Sequence, residues 1–195
     1  MRPEALLEIL RVAARLKTNT RHCFTAPERA ESVADHSWRT ALMAMLLSGE
    51  EEYRDLDMDR VIRMCLIHDL GEAFSGDIPT FLKTDSDTAR EDDIFDRWVD
   101  GFAEPDRSEW KALLAEMKAQ ETPEARLYRS LDKLEAIIAH NESDIETWLP
   151  LEYDLQYTYG QEQIAWSPTL VSLRERIDRW TDEKIARKER ADAPE

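Results

Sequence analysis

The segment RVIRMCLIHDLGEAFSGDIPT, residues 60–80, carries the strongest structural signal in this chain of 195 residues. Its first half is apolar on nearly every side, which is typical of a buried helix. Asp57 is a suitable N-cap, and the pattern predicts a helix over residues 58–74. Gly76 and then Ile78, which the following proline holds extended, are expected to end this helix.

The sequence on both sides of this segment is also helical in pattern, and strand signals are nearly absent. The predicted loops are the polar connection 18–31, the acidic stretch 84–93 and the aromatic stretch 148–166. We therefore expect a single all-α domain of six to eight helices over residues 1–190, followed by a polar tail at 191–195. The predicted helices cover about residues 3–17, 32–47, 58–74, 94–102, 108–119, 122–140 and 167 onwards.

The charge of the chain excludes several classes of partner. The sequence has 42 acidic and 26 basic side chains, which gives a net charge of −16. Such a surface repels nucleic acids and anionic lipids, whose binding requires clustered Lys and Arg. The longest apolar run, residues 41–47, is too short to span a membrane, and the N-terminus lacks the apolar region of a secretory signal. We therefore expect a cytoplasmic protein that binds neither nucleic acid nor membrane.

A histidine and an aspartate lie side by side in the apolar segment. A buried aspartate destabilises a helix by several kcal/mol unless it is paired or binds a metal, and His68 and Asp69 can converge on one ion. Glu72 lies on the same helix face. On spacing alone, a helix end with hydrated acidic side chains explains the pattern equally well.

Two further candidates are weaker on pattern alone. His36 faces inward with apolar neighbours, where a single histidine is usually a core residue. Asp132 lies beside the apolar stripe of its helix, and periodicity alone predicts that it is exposed to solvent. His140 is expected to cap its helix or to face solvent. The residue pattern leaves a role for His36 and Asp132 in metal binding open.

The order His36, His68-Asp69, Asp132 resembles the H…HD…D signature of the HD-domain metal-dependent phosphohydrolases. Three blocks are similar to the 5′-deoxynucleotidase branch of that family and its HD-domain-containing-2-type relatives: PERAESVADHSWRTALMA, RVIRMCLIHDLGEAFSGDIPT and SLDKLEAI. The resemblance implies an all-α fold, commonly a homodimer. It also implies one divalent cation that is held by His36, His68, Asp69 and Asp132.

Further positions match the residues that act on the substrate in this family. The resemblance implies that Glu72 handles the attacking water, that Asp77 reads the sugar and that Arg21 binds the phosphate. The bacterial enzymes carry a Trp directly after that arginine, and this chain has His22 there. His22 is therefore a candidate substrate-binding residue at which this chain departs from the family.

The chemistry of these residues agrees with the resemblance. Two imidazoles and two carboxylates suit Mn²⁺, Co²⁺, Zn²⁺ or Fe²⁺ better than Ca²⁺, and Mg²⁺ stays possible. The expected function is that of a 5′-deoxynucleotidase, which hydrolyses deoxyribonucleoside 5′-monophosphates to deoxynucleosides and phosphate. The alternative within the fold is a phosphohydrolase or phosphodiesterase with another small phosphorylated substrate.

Two other classes of function are disfavoured by the sequence. A mixed-valent di-iron oxygenase of this fold needs additional histidines between the HD pair and the last aspartate, and residues 70–131 contain none. A non-catalytic interaction protein would have to tolerate a cluster of buried carboxylates without a use for them, which destabilises a fold.

Overall fold

Helices form most of the computed structural model, which describes residues 1–193. Eight of the helices in this part of the chain span nine residues or more, so the prediction of an all-α fold with six to eight helices is confirmed. The elements in chain order are α1 (Pro3–Ala13), β1 (Thr20–Ala26), β2 (Arg29–Ser32), α2 (Val33–Leu47), α3 (Met58–Ile67), α4 (Glu72–Ser75), α5 (Asp85–Asp100), α6 (Asp106–Ala119), α7 (Pro123–Glu142), α8 (Pro150–Thr158), α9 (Gln161–Ile164) and α10 (Pro168–Asp192). Short 3₁₀ turns occupy Ala14–Lys17, Glu51–Tyr53 and Ile145–Thr147.

Helix α7 is the centre of the fold. Thr122 accepts the backbone N–H of Ala125 and Pro123 fills the first turn, so the start of the helix is fixed. The helix packs against α2, α3, α6 and α10, and the side chains of Leu127, Leu131 and Leu134 are fully buried. Because neighbours surround α7, polar side chains on several of its faces are buried as well.

A second apolar cluster lies beneath the turn that follows α3. It joins Leu70 to Phe95 and Val99 of α5. Gly71 permits this packing, since a Cβ there would lie 3.3 Å from both Glu91 and Phe95 side-chain atoms. Through Leu70, the cluster packs against the turn that contains His68 and Asp69.

The connection 18–31 is a β-hairpin and not a loop. Strands β1 and β2 pair antiparallel with an irregular register. The turn places Glu28 at a φ of 62°, a position that usually selects Gly or Asn. The strands are short and polar and the turn lacks its usual residues, so the pattern of this segment does not predict a hairpin.

The helix predicted over 58–74 is divided by a tighter turn. The α-helical bonding ends with the His68 N–H, which donates to Met64, and Leu70, Glu72 and Phe74 then donate three residues back. Helix α4 ends at Gly76, whose φ is 80°. The helical path therefore continues through the His68-Asp69 pair, but with 3₁₀ geometry.

Three other boundaries differ from the prediction. Helix α5 begins at Asp85 inside the predicted acidic loop, because Thr84 and Asp87 form a reciprocal capping box. The stretch 148–166 contains α8 and α9. Helix α10 continues through Asp192, two residues into the predicted tail, and residues 194–195 lie outside the described part. None of the helices within residues 1–193 is long and apolar enough for a membrane crossing.

Candidate active site

The four side chains predicted to bind a metal lie together. The Nε2 atoms of His36 and His68 are 3.1 Å apart. Asp69 Oδ2 lies 3.1 Å from His68 Nε2, and Asp132 Oδ1 lies 3.3 Å from His36 Nε2. The structure therefore brings residues from three separate segments to one point.

Each of these residues is held by a defined local structure. A capping box between Ser32 and Asp35 begins α2, and His36 follows directly on the first turn. His68 caps the end of α3, and Asp69 lies in the tight turn after it. Asp132 lies midway along α7 and is 6% exposed, so the exposure expected from periodicity is wrong. One apolar stripe is typical of a helix that buries only one face, whereas α7 is surrounded by other helices and buries several faces.

The hydrogen-bond partners fix where the imidazole protons lie. Nδ1 of His68 is 2.9 Å from the carbonyl oxygen of Cys65, which can only accept, so Nδ1 donates. Nδ1 of His36 likewise donates to the carboxylate of Glu135. When both rings are neutral, the two Nε2 atoms therefore carry lone pairs that face each other, and a proton or a metal ion is needed between them. The donor set of two imidazoles and two carboxylates fits a divalent transition metal.

The pKa values of these residues reflect the same need for positive charge. Burial and Arg21 lower the pKa of His36, but Glu135 and Asp132 outweigh them and raise it to about 9. Burial raises the pKa of Asp132, yet Lys133 and the neighbouring histidines hold it well below its usual range. The carboxylate of Asp132 is therefore ionised and available as a ligand.

A cavity of about 990 Å³ opens from the ligand cluster. Its wall includes the other residues that the sequence singled out, namely Arg21, His22, Glu72 and Asp77. The Nη1 atom of Arg21 lies 3.7 Å from Asp69, so the guanidinium group is close to the metal-binding side chains. It is one of the positive groups that an acidic protein needs near its active site in order to bind a phosphate.

Glu72 is nearly fully buried at the edge of this cavity. Its Oε2 atom has no hydrogen-bond partner within residues 1–193, and Oε1 is 3.9 Å from Lys83 Nζ. Burial, together with the carboxylates of Asp69 and Asp77, raises the pKa of Glu72 to about 10 against the effect of Lys83. A cation in the ligand cluster would favour the ionised carboxylate instead.

The comparisons with known proteins agree with this geometry. A family model described as HD domain matches residues 13–173, which is most of the chain. The chain belongs to the HD-domain family. The human 5′-deoxynucleotidase HDDC2 is 31% identical over 147 residues, which cover 73% of this chain and 70% of that protein.

A solved structure also resembles this HD domain along nearly its whole length. It is described as a predicted metal-dependent phosphohydrolase from Magnetospirillum magnetotacticum MS-1, and it is 28% identical with a TM-score of 0.77. The match covers 95% of this chain and 96% of that one. A 5′-deoxynucleotidase of Schizosaccharomyces pombe, hdd1, is 25% identical over 141 residues, which are 68% of this chain and 69% of that protein.

The far end of the cavity in this HD domain contains a second group of polar residues. Glu152 is buried, and its Oε1 atom lies 3.4 Å from His22 Nε2 and 3.2 Å from His140 Nε2. His140 also packs against Trp148, so the expectation that it faces solvent is wrong. Along α7, the eight residues from Asp132 to His140 correspond to about 12 Å.

Several charged residues of the cavity are not predicted by the sequence pattern. Lys133 Nζ lies 3.2 Å from Asp132 and donates to the Tyr159 hydroxyl at 2.7 Å. Arg129 donates to Asp132 at 3.1 Å. Lys133 lies inside the block SLDKLEAI, where its position next to Asp132 was a usable signal. Lys83 lies between the predicted helix 58–74 and the predicted loop 84–93, and Glu152 lies in the predicted loop 148–166, so no spacing rule connects them to the other residues.

Proposed function

We propose that this HD domain hydrolyses deoxyribonucleoside 5′-monophosphates to deoxynucleosides and phosphate. The observation that carries the proposal is the pair of opposed Nε2 lone pairs, flanked by two carboxylates, at one end of a nucleotide-sized cavity. The activities printed for the human and fission-yeast relatives support the same substrate class.

We propose His36, His68, Asp69 and Asp132 as the ligands of one divalent cation. When bound, such an ion acidifies a water molecule and neutralises charge that develops on the phosphoryl group. The ligand geometry supports Mn²⁺, Co²⁺, Zn²⁺ or Fe²⁺ through its nitrogen donors. Asp69 and Asp132 are both ionised, because neighbouring positive groups hold their pKa values below the usual range despite burial.

Arg21 is the proposed phosphate-binding residue. Its guanidinium group is only 16% exposed and is held by Glu31, whose Oε2 atom accepts from Nε at 3.0 Å. Its Nη1 atom lies 3.7 Å from Asp69, which also lines the cavity. A guanidinium group that is fixed in this way can bind two phosphoryl oxygens with little loss of side-chain entropy.

Glu72 is the proposed residue that orients the attacking water and accepts its proton. The water oxygen forms a bond to phosphorus while the bond from phosphorus to the 5′ oxygen breaks, and the leaving oxygen takes up a proton. The Oε2 atom of Glu72 supports this role, since it is a buried acceptor at the edge of the cavity that has no hydrogen-bond partner within residues 1–193. The carboxylate is an effective base once positive charge in the ligand cluster lowers its raised pKa.

Asp77 is the proposed sugar-recognition residue. It lies just after Gly76, where the backbone leaves α4, and it lines the same cavity as Arg21. A carboxylate that accepts the 3′-hydroxyl fixes the ring so that an added 2′-hydroxyl is crowded or unpaired. The far end, with His22, then lies where the nucleobase of a bound nucleotide would extend.

We also propose a cytoplasmic homodimer built from a single domain over residues 1–190. The exposed apolar side chains of Trp38 and Leu46 on α2 support a surface that a second copy covers. Sedimentation of the metal-loaded protein tests the dimer.

The experiment that tests the function is a steady-state comparison of dAMP and AMP with one metal at saturation. We expect a higher kcat/KM for dAMP. Equal values would show that the chain has the metal site without the sugar preference. Absence of hydrolysis with each of Mn²⁺, Co²⁺, Zn²⁺, Fe²⁺ and Mg²⁺ would contradict the proposed function, and turnover of a phosphodiester alone would favour the alternative.

A further inference from the structure

Two buried carboxylates lie behind the metal-binding cluster, and the proposed reaction does not use them directly. Glu31 and Glu135 are both 0% exposed. Ligand atoms of Glu31, His36 and Glu135 all lie within 4.8 Å of one another. Buried carboxylates at this separation are unfavourable unless positive groups compensate them.

Each carboxylate contacts one residue of the active site. Glu31 Oε2 accepts from Arg21 Nε at 3.0 Å and from Cys23 Sγ at 3.0 Å. Glu135 Oε2 accepts from Nδ1 of His36. The two carboxylates therefore connect the proposed phosphate-binding residue to a proposed metal ligand.

A second cation between Glu31 and Glu135 is the competing explanation. Two guanidinium groups already supply the compensating charge, because Arg21 pairs with Glu31 and Arg39 Nε lies 3.2 Å from Glu135 Oε1. The Nδ1–H of His36 also points towards Glu135 and could not coordinate an ion there. The charges thus balance without another metal ion.

We propose that Glu135 and Glu31 are positioning residues with separate tasks. Glu135 keeps the proton of His36 on Nδ1 and so directs the Nε2 lone pair towards the metal. Glu31 holds the Arg21 guanidinium group in the orientation that receives the phosphate. The task of Glu31 rests on the proposed function, whereas that of Glu135 depends only on the metal.

The test measures metal binding and phosphate binding separately. Mn²⁺ alone is titrated calorimetrically into the metal-free full-length wild type and the variants Glu135→Gln, Glu31→Gln and Glu142→Gln. Glu142 is the matched control, because it pairs with the outer side of Arg39 and is half exposed. Inorganic phosphate is then titrated into each protein after it has been loaded with Mn²⁺.

We expect Glu135→Gln to weaken Mn²⁺ binding by about 10–100-fold, as loss of a histidine's outer partner does in other metal sites. We expect Glu31→Gln to leave Mn²⁺ binding unchanged and to weaken phosphate binding by about 10-fold. Glu142→Gln should change neither. Wild-type Mn²⁺ affinity in Glu135→Gln, or equal losses in all three variants, would overturn the assignment, as would two Mn²⁺ ions per chain.

A spectroscopic measurement on the wild type tests the contact between His36 and Glu135 without requiring that the variants fold. In the Zn²⁺-loaded protein we expect a downfield imidazole proton resonance from His36 Nδ1–H that is protected from exchange. A rapidly exchanging proton at this position would contradict the contact with Glu135. If the metal results hold but no nucleotide is hydrolysed, the proposed function fails while the role of Glu135 stands.

Discussion

The two ends of the cavity contain nearly the same side chains in different arrangements of contacts. Each end has two histidines and at least one buried carboxylate. At the ligand cluster, His36 and His68 face each other through Nε2 at 3.1 Å. At the far end, His22 and His140 both direct Nε2 towards the same oxygen of Glu152.

The difference lies in what the other side of each imidazole contacts. His36 and His68 donate from Nδ1 to a carboxylate and a carbonyl, so the two facing Nε2 atoms need a proton or a metal ion between them. At the far end, the Nε2 atoms of His22 and His140 lie 3.4 Å and 3.2 Å from Glu152 Oε1, and Nδ1 of His140 is buried without a hydrogen-bond partner within residues 1–193. A metal site is therefore defined by the outer hydrogen-bond partners as much as by the ligand types.

Removal of a ligand at the first end should have the largest effect. We expect Asp69→Asn to abolish stoichiometric metal binding and to lower kcat/KM for dAMP by about 10⁴-fold or more, because the charge stabilisation by the ion is lost. Treatment with a chelator should give the same loss in the wild type. Glu152→Gln at the far end should keep one metal ion per chain. Loss of the ion in Glu152→Gln as well would show that the two ends are not independent.

The second-largest expected effect is a lower kcat when the residue proposed to activate water is changed. Glu72→Gln should retain the metal and lower kcat by about 10²–10⁴-fold, since the amide cannot accept a proton from water. Asp93→Asn, an exposed carboxylate-to-amide change on α5, is the control. Unchanged turnover of Glu72→Gln at full metal occupancy would remove Glu72 from the mechanism.

The sequence predicted one end of the cavity far better than the other. His36, His68-Asp69 and Asp132 lie in blocks with a recognisable order, and the predicted all-α fold and HD family are confirmed. Their assignment as ligands stays a prediction.

The polar residues of the far end are brought together only by contacts between segments that are distant in the sequence. Glu152 reaches the cavity because α8 forms within a segment predicted as a loop, and its carboxylate accepts the Leu149 N–H that starts this helix. The hairpin that carries Arg21 and His22 was also missed, because its turn has Glu28 where Gly or Asn is usual. Neither feature produces a periodic pattern in the sequence.

A smaller effect should separate recognition of the sugar from catalysis. Asp77→Asn should lower the ratio of kcat/KM for dAMP to that for AMP by about 10-fold, because a charge-assisted hydrogen bond to the 3′-hydroxyl becomes a neutral one. Metal affinity should not change. An unaltered ratio would place sugar recognition elsewhere, and His22→Gln would then be the next variant to compare.

The smallest effect is the pH dependence of stability, which should have opposite signs at the two ends. The pKa of His36 is raised from 6.5 to about 9 in the metal-free protein, so its stabilising contribution is complete below pH 6.5 and is lost as the pH rises to 9. Burial lowers the pKa of His140, despite an opposing effect of Glu152, so its contribution is complete above pH 6.5 and decreases as the pH falls.

Metal binding should remove only the first of these two dependences. Where the folded state binds one proton more than the unfolded state, each unit of increase in pH lowers the free energy of unfolding by about 1.4 kcal/mol. For a chain of this size, this corresponds to a decrease in Tm of about 3–6 °C. Thermal unfolding of the metal-free protein between pH 7 and pH 9 should show a decrease of this order, and saturating Zn²⁺ should flatten it because the ion replaces the proton at Nε2. Below pH 6.5, His140→Gln should reduce the loss of stability in the metal-free protein. A metal-free curve that does not fall between pH 7 and pH 9 would mean that the two facing Nε2 atoms require no positive charge between them, and the contrast between the two ends would then be wrong.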